Sequence, residues 1–434
     1  MAKPSTLYIY NTLNRRKELF VPRREGTVKL FTCGPSVYRE QHIGNYRTFL
    51  FEDILQRYLE YQGFDVERGM NFTDIEDKAV AESKSTGHTL SELTQPVIDS
   101  FFESSKLLEL SLPKPGIPRA TEVVSEAVSL VQRLLDRGHA YRHTDGNIYY
   151  DPLSYPGFGE VFGLDMSNWP TKRVRFAKDT YDGRRWNRGD FVLWHGNLPD
   201  DGFSWDTDLG RGRPAWNVQD PAIILSSLGS EIDIHCGGID NLYRHHDYNR
   251  AVMEGAFGTE FCPYWAHGEH LIVEGKKMSK SRGNVMYPSQ ILKRGYSPHT
   301  IRLSLTYIYY REQLNMTDEH LQNTARLLSR LQKSVDVLMQ PQAPTEQAPT
   351  EKNGPKRPEW EAQRTDRMIE EIPTVFRLNM DNDLRVKAAV DDLTRLLEHI
   401  QRRASVTGLS KSQSTRIRTH MSKLNEVLRI LRIE

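Results

Sequence analysis

The segment from residue 28 to residue 73 is the part of this sequence that most constrains the fold. It begins with "VKLFTC" (28–33), a short apolar run of strand-forming residues that "GPS" then interrupts. Apolar residues recur at helical spacing over 42–61, and Gly63 follows where a helix stop is expected. "DVERGMNFT" (65–73) is a second strand-like segment. A strand, a turn, a helix and a second strand in this order predict the beginning of a doubly wound parallel sheet.

The segments that follow alternate between helical and strand-like patterns. From about residue 298 the pattern is helical to the end, except for the proline-rich stretch 340–358, which predicts a flexible or extended linker followed by three helices. The intervening segments predict helices at 92–110, 119–137, 248–256 and 288–294, an insertion with short strands at 138–215, and a strand that leads into a glycine turn at 232–240.

The composition is that of an ordinary globular protein. Charged residues make up 26% of the chain and hydrophobic residues 38%, and the formal net charge of +1 neither favours nor excludes a nucleic-acid partner. The sequence has no apolar run of 18 residues and no charged-then-apolar N-terminus, which predicts a cytoplasmic protein without a membrane partner. The three cysteines, Cys33, Cys236 and Cys262, are too few for a disulfide framework and are expected to be reduced.

The turn after the first predicted strand carries the motif "HIGN", His42–Asn45. A glycine in this turn lets the backbone and a flat base approach each other closely. The N-terminus of the following helix, together with an imidazole, suits the phosphates of a nucleotide. Because so short a motif occurs often by chance, the motif alone is better explained by a histidine that caps or packs a turn.

A second motif, "KKMSKSRGN" at 276–284, is rich in Lys, Arg and Ser donors and contains Gly283, which allows mobility. Two lysines three positions apart, Lys277 and Lys280, can hold a triphosphate while its charge shifts to the leaving pyrophosphate. A lysine-rich loop is usually only solvated, but the five defined positions of KMSKS are much more specific. Because the two motifs lie about 230 residues apart, at opposite ends of an α/β region, their combination is strong evidence for a nucleotide site.

This pair resembles the HIGH and KMSKS signatures of class I aminoacyl-tRNA synthetases. The segment "LFTCGPSVYREQHIGNYRTFLFEDILQRYLEYQGFDVERGMNFTDIEDKA" further resembles the opening of cysteinyl-tRNA synthetases, which typically read CGPTVY, HIGN and NITDIDDK. "DFVLWHG", "GRPAWN", "DIHCGGIDNLYRHH" and "KMSKSRGN" also follow in that family's order and spacing. The resemblance covers roughly residues 8–330.

The resemblance implies an α/β fold, with a Rossmann-type parallel sheet, an inserted connective domain and a C-terminal α-helical bundle. The expected catalytic domain has two halves, at 1–120 and 213–266, separated by a connective insertion at 121–212. A KMSKS region that contacts the tRNA stem is expected at 267–320. A helical bundle, interrupted by the linker at 340–358, is expected at 321–434.

The resemblance also implies a ligase that joins an amino acid to AMP. Its substrate ATP binds together with Mg²⁺, and pyrophosphate is released. The amino-acid carboxylate attacks the α-phosphorus in line, so catalysis depends on positioning and charge stabilisation. The implied catalytic residues are His42, Asn45, Lys277 and Lys280, and the implied ATP-binding residues are His42, Gly44, Gly237, Gly238, Asp240, Met278, Ser279 and Lys280.

The amino-acid pocket is where this sequence departs from the family pattern. In the family, zinc at the pocket floor binds the substrate thiolate and is held by two cysteines, a histidine and a glutamate. The positions here are Cys33, Asp220, His245 and Asn249, so the second cysteine and the glutamate have been replaced. The residues implied to line the pocket are Cys33, Gly34, Ser36, Thr73, Trp216, Asp220, His235 and His245.

Two alternatives are open for this pocket. Zinc accepts thiolate, imidazole and carboxylate, but a neutral amide is a poor ligand, so Cys33, Asp220 and His245 can hold zinc with an open position. Alternatively the pocket has changed use, and Asp220 accepts hydrogen bonds from a hydroxyl, amide or ammonium group of a different substrate, because a buried carboxylate without a metal needs such a partner.

Three functions therefore remain. The first is a repurposed ligase that activates an amino acid and transfers it to an acceptor, which is a tRNA or a small molecule or protein. The second is a cysteine–tRNA ligase with an unusual metal site. The third is a non-catalytic nucleotide- or RNA-binding relative, which the intact HIGN, Asp240 and KMSKS disfavour.

The C-terminal end of the chain also bears on the acceptor. The sequence stops about where the helical bundle of the family ends, before the small anticodon-reading domain, which favours the repurposed ligase. The last 34 residues hold eight Lys and Arg against two Glu, either as a solvated basic face or as a contact for a phosphate backbone. A monomer is the default expectation.

Overall fold

A computed structural model of the chain describes residues 5–169, 189–199, 202–343 and 359–433. Most of the predicted linker, from 344 to 358, therefore lies outside the described residues. The strands are β1 (Tyr8–Asn11), β2 (Arg16–Leu19), β3 (Thr27–Thr32), β4 (Asp65–Met70), β5 (Ala140–Arg142), β6 (Ile148–Tyr150), β7 (Phe191–Gly196), β8 (Gly212–Pro214), β9 (Ile234–Gly238), β10 (Tyr264–Gly268), β11 (Leu271–Val273), β12 (Lys276–Lys277) and β13 (Leu314–Met316).

Besides short 3-10 and π-helical turns, the remaining regular structure of these residues consists of α-helices. They are α1 (Ile43–Gln62), α2 (Asp77–Thr86), α3 (Leu90–Leu107), α4 (Val124–Asp136), α5 (Trp216–Ser227), α6 (Asp247–Phe257), α7 (Pro288–Lys293), α8 (Pro298–Thr306), α9 (Asp318–Leu338), α10 (Glu359–Met380), α11 (Val386–Thr407) and α12 (Lys411–Leu428). None of the described helices is both long enough and apolar enough to cross a membrane.

A four-stranded parallel sheet in the order β10-β9-β3-β4 lies at the centre of the molecule. Phe31 of β3 pairs with Gly69 of β4 on one side and with His235 of β9 on the other. Because all four strands run in the same direction, their carboxyl ends meet at one edge of the sheet, where α/β folds of this kind bind ligands. Cys33 is the first residue beyond β3 at that edge.

Helix α1 crosses over this sheet and is the helix that the spacing over 42–61 predicts. It begins after His42, which accepts a hydrogen bond from the backbone of the first turn, and it ends at Gly63, whose φ of 101° is left-handed and suits glycine. Leu50, Leu55 and Leu59 are fully buried on the face of α1 that covers the sheet. Because these leucines hold α1 against the core, they also fix the position of the HIGN turn at its N-terminus.

Three further sheets accompany the central one, and the hairpin β1-β2 is the smallest of them. The antiparallel sheet β5-β6-β7-β8 forms the predicted insertion and packs with α4 and α5. The sheet β12-β11-β13 carries the loop with the second motif, and its strand β13 lies in a stretch whose pattern predicts helix. That prediction fails at β13 because three residues are too few to show an alternating pattern, and the strand forms by parallel pairing with β11, which is distant in sequence.

Helices α9 to α12 form the C-terminal helical region that the sequence predicts. The loop between α10 and α11 attaches this region to the first hairpin, since the backbone N–H of Tyr10 donates to Asp383 Oδ1 at 2.9 Å. On the other side of the region, the buried Arg302 of α8 binds the carboxylate of Asp53 on α1 and donates to the carbonyl of Leu428 at 2.7 Å. Burial alone would raise the pKa of Asp53, but Arg302 and Arg57 lower it below its ordinary value.

Glu52 on α1 is fully buried, and neither of its carboxylate oxygens has a hydrogen-bond partner. Its nearest cation is Arg68, whose Nη2 lies 3.5 Å away. Burial raises the pKa of Glu52 from 4.5 to about 8. Because the folded-state pKa lies above the unfolded value, Glu52 costs stability increasingly as the pH rises from 4.5 to about 8.

We therefore expect Glu52→Gln to raise the free energy of unfolding at neutral pH and to change it little below pH 4.5. A pKa difference of this size corresponds to about 3 kcal/mol at neutral pH. Urea denaturation at several pH values measures the effect. Glu67→Gln, an exposed position on β4, is the matched control, and an equal effect of Glu52→Gln at all pH values would contradict the account.

Candidate active site

The two motifs meet at the N-terminus of α1. The backbone N–H of Gly44 donates to His42 Nδ1 at 3.2 Å, and the backbone N–H of His42 donates to Asn45 Oδ1 at 3.1 Å, so the motif caps its own helix. A Cβ atom on Gly44 would lie 2.9 Å from Cε of Met278 and 3.0 Å from the His42 ring. A side chain at residue 44 would therefore have to displace both groups where HIGN and KMSKS touch.

His42 is half-buried at this helix terminus. Burial lowers the pKa of His42 below its ordinary value of 6.5, and the carboxylate of Asp240 partly opposes that shift. The ring is therefore neutral at neutral pH. The helix N-terminus, rather than an imidazolium, supplies the positive end of a dipole at this point.

The KMSKS loop is organised by its own side chains. The backbone N–H of Ser279 donates to Asn284 Oδ1 at 2.9 Å, and both Arg282 and Asn284 donate to the carbonyl of Lys277, at 3.2 and 3.3 Å. Gly283 has a φ of 65° and allows the loop to turn. The side chain of Lys277 is exposed and therefore accessible to a ligand, whereas the side chain of Lys280 lies outside the described residues.

The two glycines at the end of β9 lie close to α1, since a Cβ atom on Gly238 would lie 3.7 Å from the hydroxyl of Thr48. That Cβ would also lie 2.5 Å from Asp240 Oδ1, and one on Gly237 would lie 2.7 Å from the ring of His246. The buried ring leaves no room for a side chain at Gly237, whereas the exposed Asp240 side chain can move away from one at Gly238. The exposed carboxylate of Asp240 acts electrostatically on His42, so these two predicted ATP-binding residues are close in space.

The floor of the predicted amino-acid pocket joins three elements at the edge of the sheet. Asn71 donates to Asp220 Oδ1 at 2.9 Å and accepts from the backbone N–H of Gly34 at 2.8 Å. The Cys33 thiol lies 3.6 Å from Asp220 Oδ2. Burial raises the pKa of Asp220 above its ordinary value, and burial together with the Asp220 carboxylate raises the pKa of the Cys33 thiol. Cys33 and Asp220 thus lie together, as the sequence predicts.

Three buried imidazoles lie behind this floor, and two of them form a chain of hydrogen bonds. Cys33 Sγ lies 3.0 Å from His246 Nε2, His246 Nδ1 lies 2.7 Å from His267 Nε2, and His267 Nδ1 lies 2.8 Å from the hydroxyl of Thr12. The third ring, His235, faces His246 with 4.2 Å between the ring centroids. A continuous polar path therefore runs from the pocket floor to Thr12.

The side chains of Cys33, His235 and His246 form the one metal-compatible group found in the described part of the chain. Their ligand atoms lie within 4.8 Å of one another, and all three residues are buried. His235 Nδ1 is buried and has no hydrogen-bond partner. A thiol and two imidazoles are ligands that zinc prefers, so this donor set fits the zinc that the family resemblance implies.

The remaining predicted pocket residues lie around this floor. Ser36 pairs with Thr73 as an isolated parallel bridge, and the ring of Trp216 lies 4.6 Å from that of His245. The structure thus places His246 beside Cys33, and it places His245 beside Trp216 and near Asp220, where it partly opposes the rise that burial causes in the pKa of Asp220. Asn249 is hydrogen-bonded to Asp220 as well. The role of His245 as a metal ligand stays a prediction, as do the roles of the other predicted site residues.

Sequence reasoning missed Asn71, His246 and His267. The adjacent histidines at 245–246 gave a signal, but the sequence does not show which of two neighbouring side chains faces the pocket. Asn71 and His267 carry no such signal, because their roles depend on hydrogen bonds to residues that are distant in the sequence.

Comparison with known proteins identifies relatives over nearly the whole chain. A family model described as "tRNA synthetases class I (C) catalytic domain" matches residues 19–326. The Cysteine--tRNA ligase of Chlamydia abortus is 36% identical over 427 residues, which is 98% of this chain and 86% of that protein. The Cysteine--tRNA ligase of Brachyspira hyodysenteriae is 39% identical over 327 residues, which is 75% of this chain and 68% of that protein.

Solved structures share the fold at much lower identity. Mycobacterium tuberculosis methionyl-tRNA synthetase bound by methionyl-adenylate matches with a TM-score of 0.67 and 14% identity, over 93% of this chain and 92% of that chain. The ternary complex of Agrobacterium radiobacter K84 agnB2 LeuRS with tRNA and LeuAMS matches with a TM-score of 0.64 and 13% identity, over 95% and 85% of the two chains. These matches confirm the predicted class I α/β fold.

We expect Gly44→Ala to weaken ATP binding by about tenfold while leaving the protein folded. The added Cβ would displace the Met278 methyl group and the His42 ring, both at the predicted ATP site, but the end of a methionine side chain moves easily. Equilibrium ATP binding and thermal unfolding measure the two effects. Gly116→Ala, where a Cβ would meet nothing within 4 Å, is the control, and unchanged ATP affinity in Gly44→Ala would count against the site.

Proposed function

This chain belongs to the cysteinyl-tRNA synthetase family of class I aminoacyl-tRNA synthetases, and on that premise we propose that it is a repurposed ligase of non-standard specificity. It joins an amino acid to the AMP part of ATP and releases pyrophosphate. The aminoacyl group of this adenylate is then transferred to an acceptor. Its amino acid or its acceptor differs from that of a standard cysteine–tRNA ligase.

The observation that supports adenylate chemistry most is the contact between Gly44 and Met278. It joins the helix N-terminus of HIGN to the KMSKS loop, so that the helix dipole and the exposed Lys277 are available to one triphosphate. Asp240 acts electrostatically on His42, which supports its proposed role in binding the ribose hydroxyls of the same nucleotide. A ligand at this edge of the sheet occupies the place where α/β folds usually bind nucleotides.

The reaction needs no enzyme nucleophile. The amino-acid carboxylate attacks the α-phosphorus of ATP, the bond from that phosphorus to the bridging oxygen breaks, and pyrophosphate leaves with the electron pair. His42, Asn45, Lys277 and Lys280 hold and stabilise the phosphates as negative charge moves to pyrophosphate. Mg²⁺ accompanies ATP as its counterion.

The non-standard specificity rests on the pocket floor. Asp220 and Asn249 stand where the family has a cysteine and a glutamate, and Asp220 is held by Asn71 rather than by a second thiolate. Cysteine differs from serine and alanine by little volume, so a pocket that lacks the full thiolate-binding set selects it poorly. When bound, zinc supplies a Lewis-acidic position that can take a substrate thiolate, and Cys33, His235 and His246 are the residues that would hold it.

A cysteine–tRNA ligase with an unusual pocket is the second candidate. It is favoured by the names of the relatives, which match up to 98% of this chain at 35–40% identity, and by the presence of Cys33. The acceptor in either case is a tRNA or a small molecule or protein. Exposed lysines of α12, such as Lys411 and Lys423, offer contacts to a phosphate backbone if the acceptor is a tRNA.

Amino-acid-dependent exchange of pyrophosphate into ATP, measured with each common amino acid in turn, tests the proposal. We expect exchange with an amino acid other than cysteine, or with cysteine and its analogues without sharp selectivity. The double variant Asp220→Cys with Asn249→Glu should then increase the use of cysteine. Strong exchange with cysteine alone in the wild-type protein would instead establish the second candidate.

A variant of the KMSKS loop tests, in the same exchange assay, whether its positive charge acts on the phosphates. Lys277→Ala should slow exchange by about 10²–10³-fold, because it removes a cation from the phosphate site. Lys276→Ala, its exposed neighbour on β12, is the matched control. Equal exchange rates in the two variants would show that the loop does not act on the phosphates.

A further inference from the structure

We infer that this chain has moved its metal site to a new ligand set, Cys33, His235 and His246, with Asp220 alongside. The family positions for the ligands are 33, 220, 245 and 249, so Cys33 and the neighbouring Asp220 stand at family positions, whereas both imidazoles are new. The inference rests on the proposed function in one respect, because it treats this cluster as the floor of the amino-acid pocket. The metal class is zinc or a similar borderline ion.

The three donors converge in a fully enclosed place. Cys33 is 8% exposed, and His235 and His246 are both 0% exposed. Their ligand atoms lie within 4.8 Å of one another. Sulfur with two imidazole nitrogens selects zinc, cobalt or copper over Mg²⁺ and Ca²⁺, which prefer oxygen.

His246 is held in the orientation that a metal ligand needs. Its Nδ1 lies 2.7 Å from His267 Nε2, and His267 Nδ1 lies 2.8 Å from the Thr12 hydroxyl. When the Thr12 hydroxyl accepts from His267 Nδ1, His267 Nε2 accepts in turn from His246 Nδ1. The lone pair of His246 Nε2 then points to Cys33. Imidazole ligands of metals almost always have their second nitrogen held by a polar partner in this way.

His235 is held similarly by the residue at the family's glutamate position. Asn249 Nδ2 lies 3.3 Å from His235 Nε2, and His235 Nδ1 is left buried without a hydrogen-bond partner. Binding of an ion through Nδ1 requires Nε2 to carry the proton. A half-turn of the Asn249 amide brings its oxygen to Nε2, which then donates to it and leaves the lone pair of Nδ1 free for the ion.

The backbone before α6 shows why His246 takes the place of His245. Tyr243 is extended (φ −80°, ψ 158°), and Arg244 follows with φ 61° and ψ −47°, which breaks the helical path. Such a conformation at a non-glycine residue is uncommon and is often found at functional sites. After this break the ring of His245 lies against Trp216, and His246 faces Cys33.

A zinc ion held by these three donors has a fourth ligand position, which Asp220 can occupy. Asp220 Oδ2 lies 3.6 Å from Cys33 Sγ, so its carboxylate is near enough to serve as a replaceable ligand. Three protein donors with one exchangeable position are typical of zinc sites that act on a substrate. The amino acid that would take this position carries a side-chain donor that zinc accepts.

Titration of the full-length protein with Co²⁺ tests the ligand set, because a thiolate bound to Co²⁺ gives a charge-transfer absorption band. We expect one ion per chain with this band, loss of the band in Cys33→Ser, and a loss of affinity of more than about 100-fold in His235→Ala and His246→Ala. His245→Ala is the matched control and should bind as the wild type does. Cys262→Ser, a buried thiol away from the cluster, should keep the band.

The opposite pattern, with binding lost in His245→Ala and kept in His246→Ala, would overturn the proposal, as would a wild-type protein that binds no Co²⁺. Circular dichroism and thermal unfolding of each variant without metal exclude misfolding as the cause. If a ligand variant does not fold, His267→Ala replaces it, with an expected loss of affinity of about 10–100-fold. Pyrophosphate exchange is measured separately, so that loss of the metal site and loss of adenylation are distinguished.

Discussion

The parallel pairing of β3 with β4 and β9 is the constraint on which the rest of the structure depends. It brings the carboxyl ends of three distant segments to one edge, so that Cys33, Asn71 and the Gly237–Gly238 turn become neighbours. The apolar face of α1 covers this sheet and fixes the HIGN turn at the same edge. Without that pairing, the residues of the proposed nucleotide site and of the pocket floor would not come together, because they lie in segments that are distant in the sequence.

The site combines a buried floor with an exposed rim. At the rim, Asp240 and Lys277 face solvent. At the floor, Cys33, Asp220 and His246 are held by hydrogen bonds to one another, to Asn71 and, through His267, to Thr12. His235 Nδ1, by contrast, is buried without a hydrogen-bond partner. Because an unpartnered buried polar atom costs stability, this nitrogen is where the floor would gain most from a bound group.

The sequence predicts the local features of this molecule well and its long-range contacts less well. The limits of α1, the order of the Rossmann-type elements and the two phosphate motifs follow from periodicity, glycine placement and the family resemblance. Strand β13, by contrast, exists only because it pairs with β11. Similarly, the choice between His245 and His246 depends on the backbone break at Arg244, and the partners Asn71 and His267 depend on tertiary contacts. Such features arise from packing rather than from local pattern.

The central claim is that the joined HIGN and KMSKS motifs make an aminoacyl-adenylate. Its most direct measurement is mass spectrometry of the compound that remains bound after the protein is incubated with ATP, Mg²⁺ and a mixture of the common amino acids without any acceptor. The account predicts a bound aminoacyl-AMP, whose mass also names the amino acid. ATP bound without any adenylate, under conditions in which the protein is folded, would contradict the claim and leave the chain as a nucleotide-binding relative.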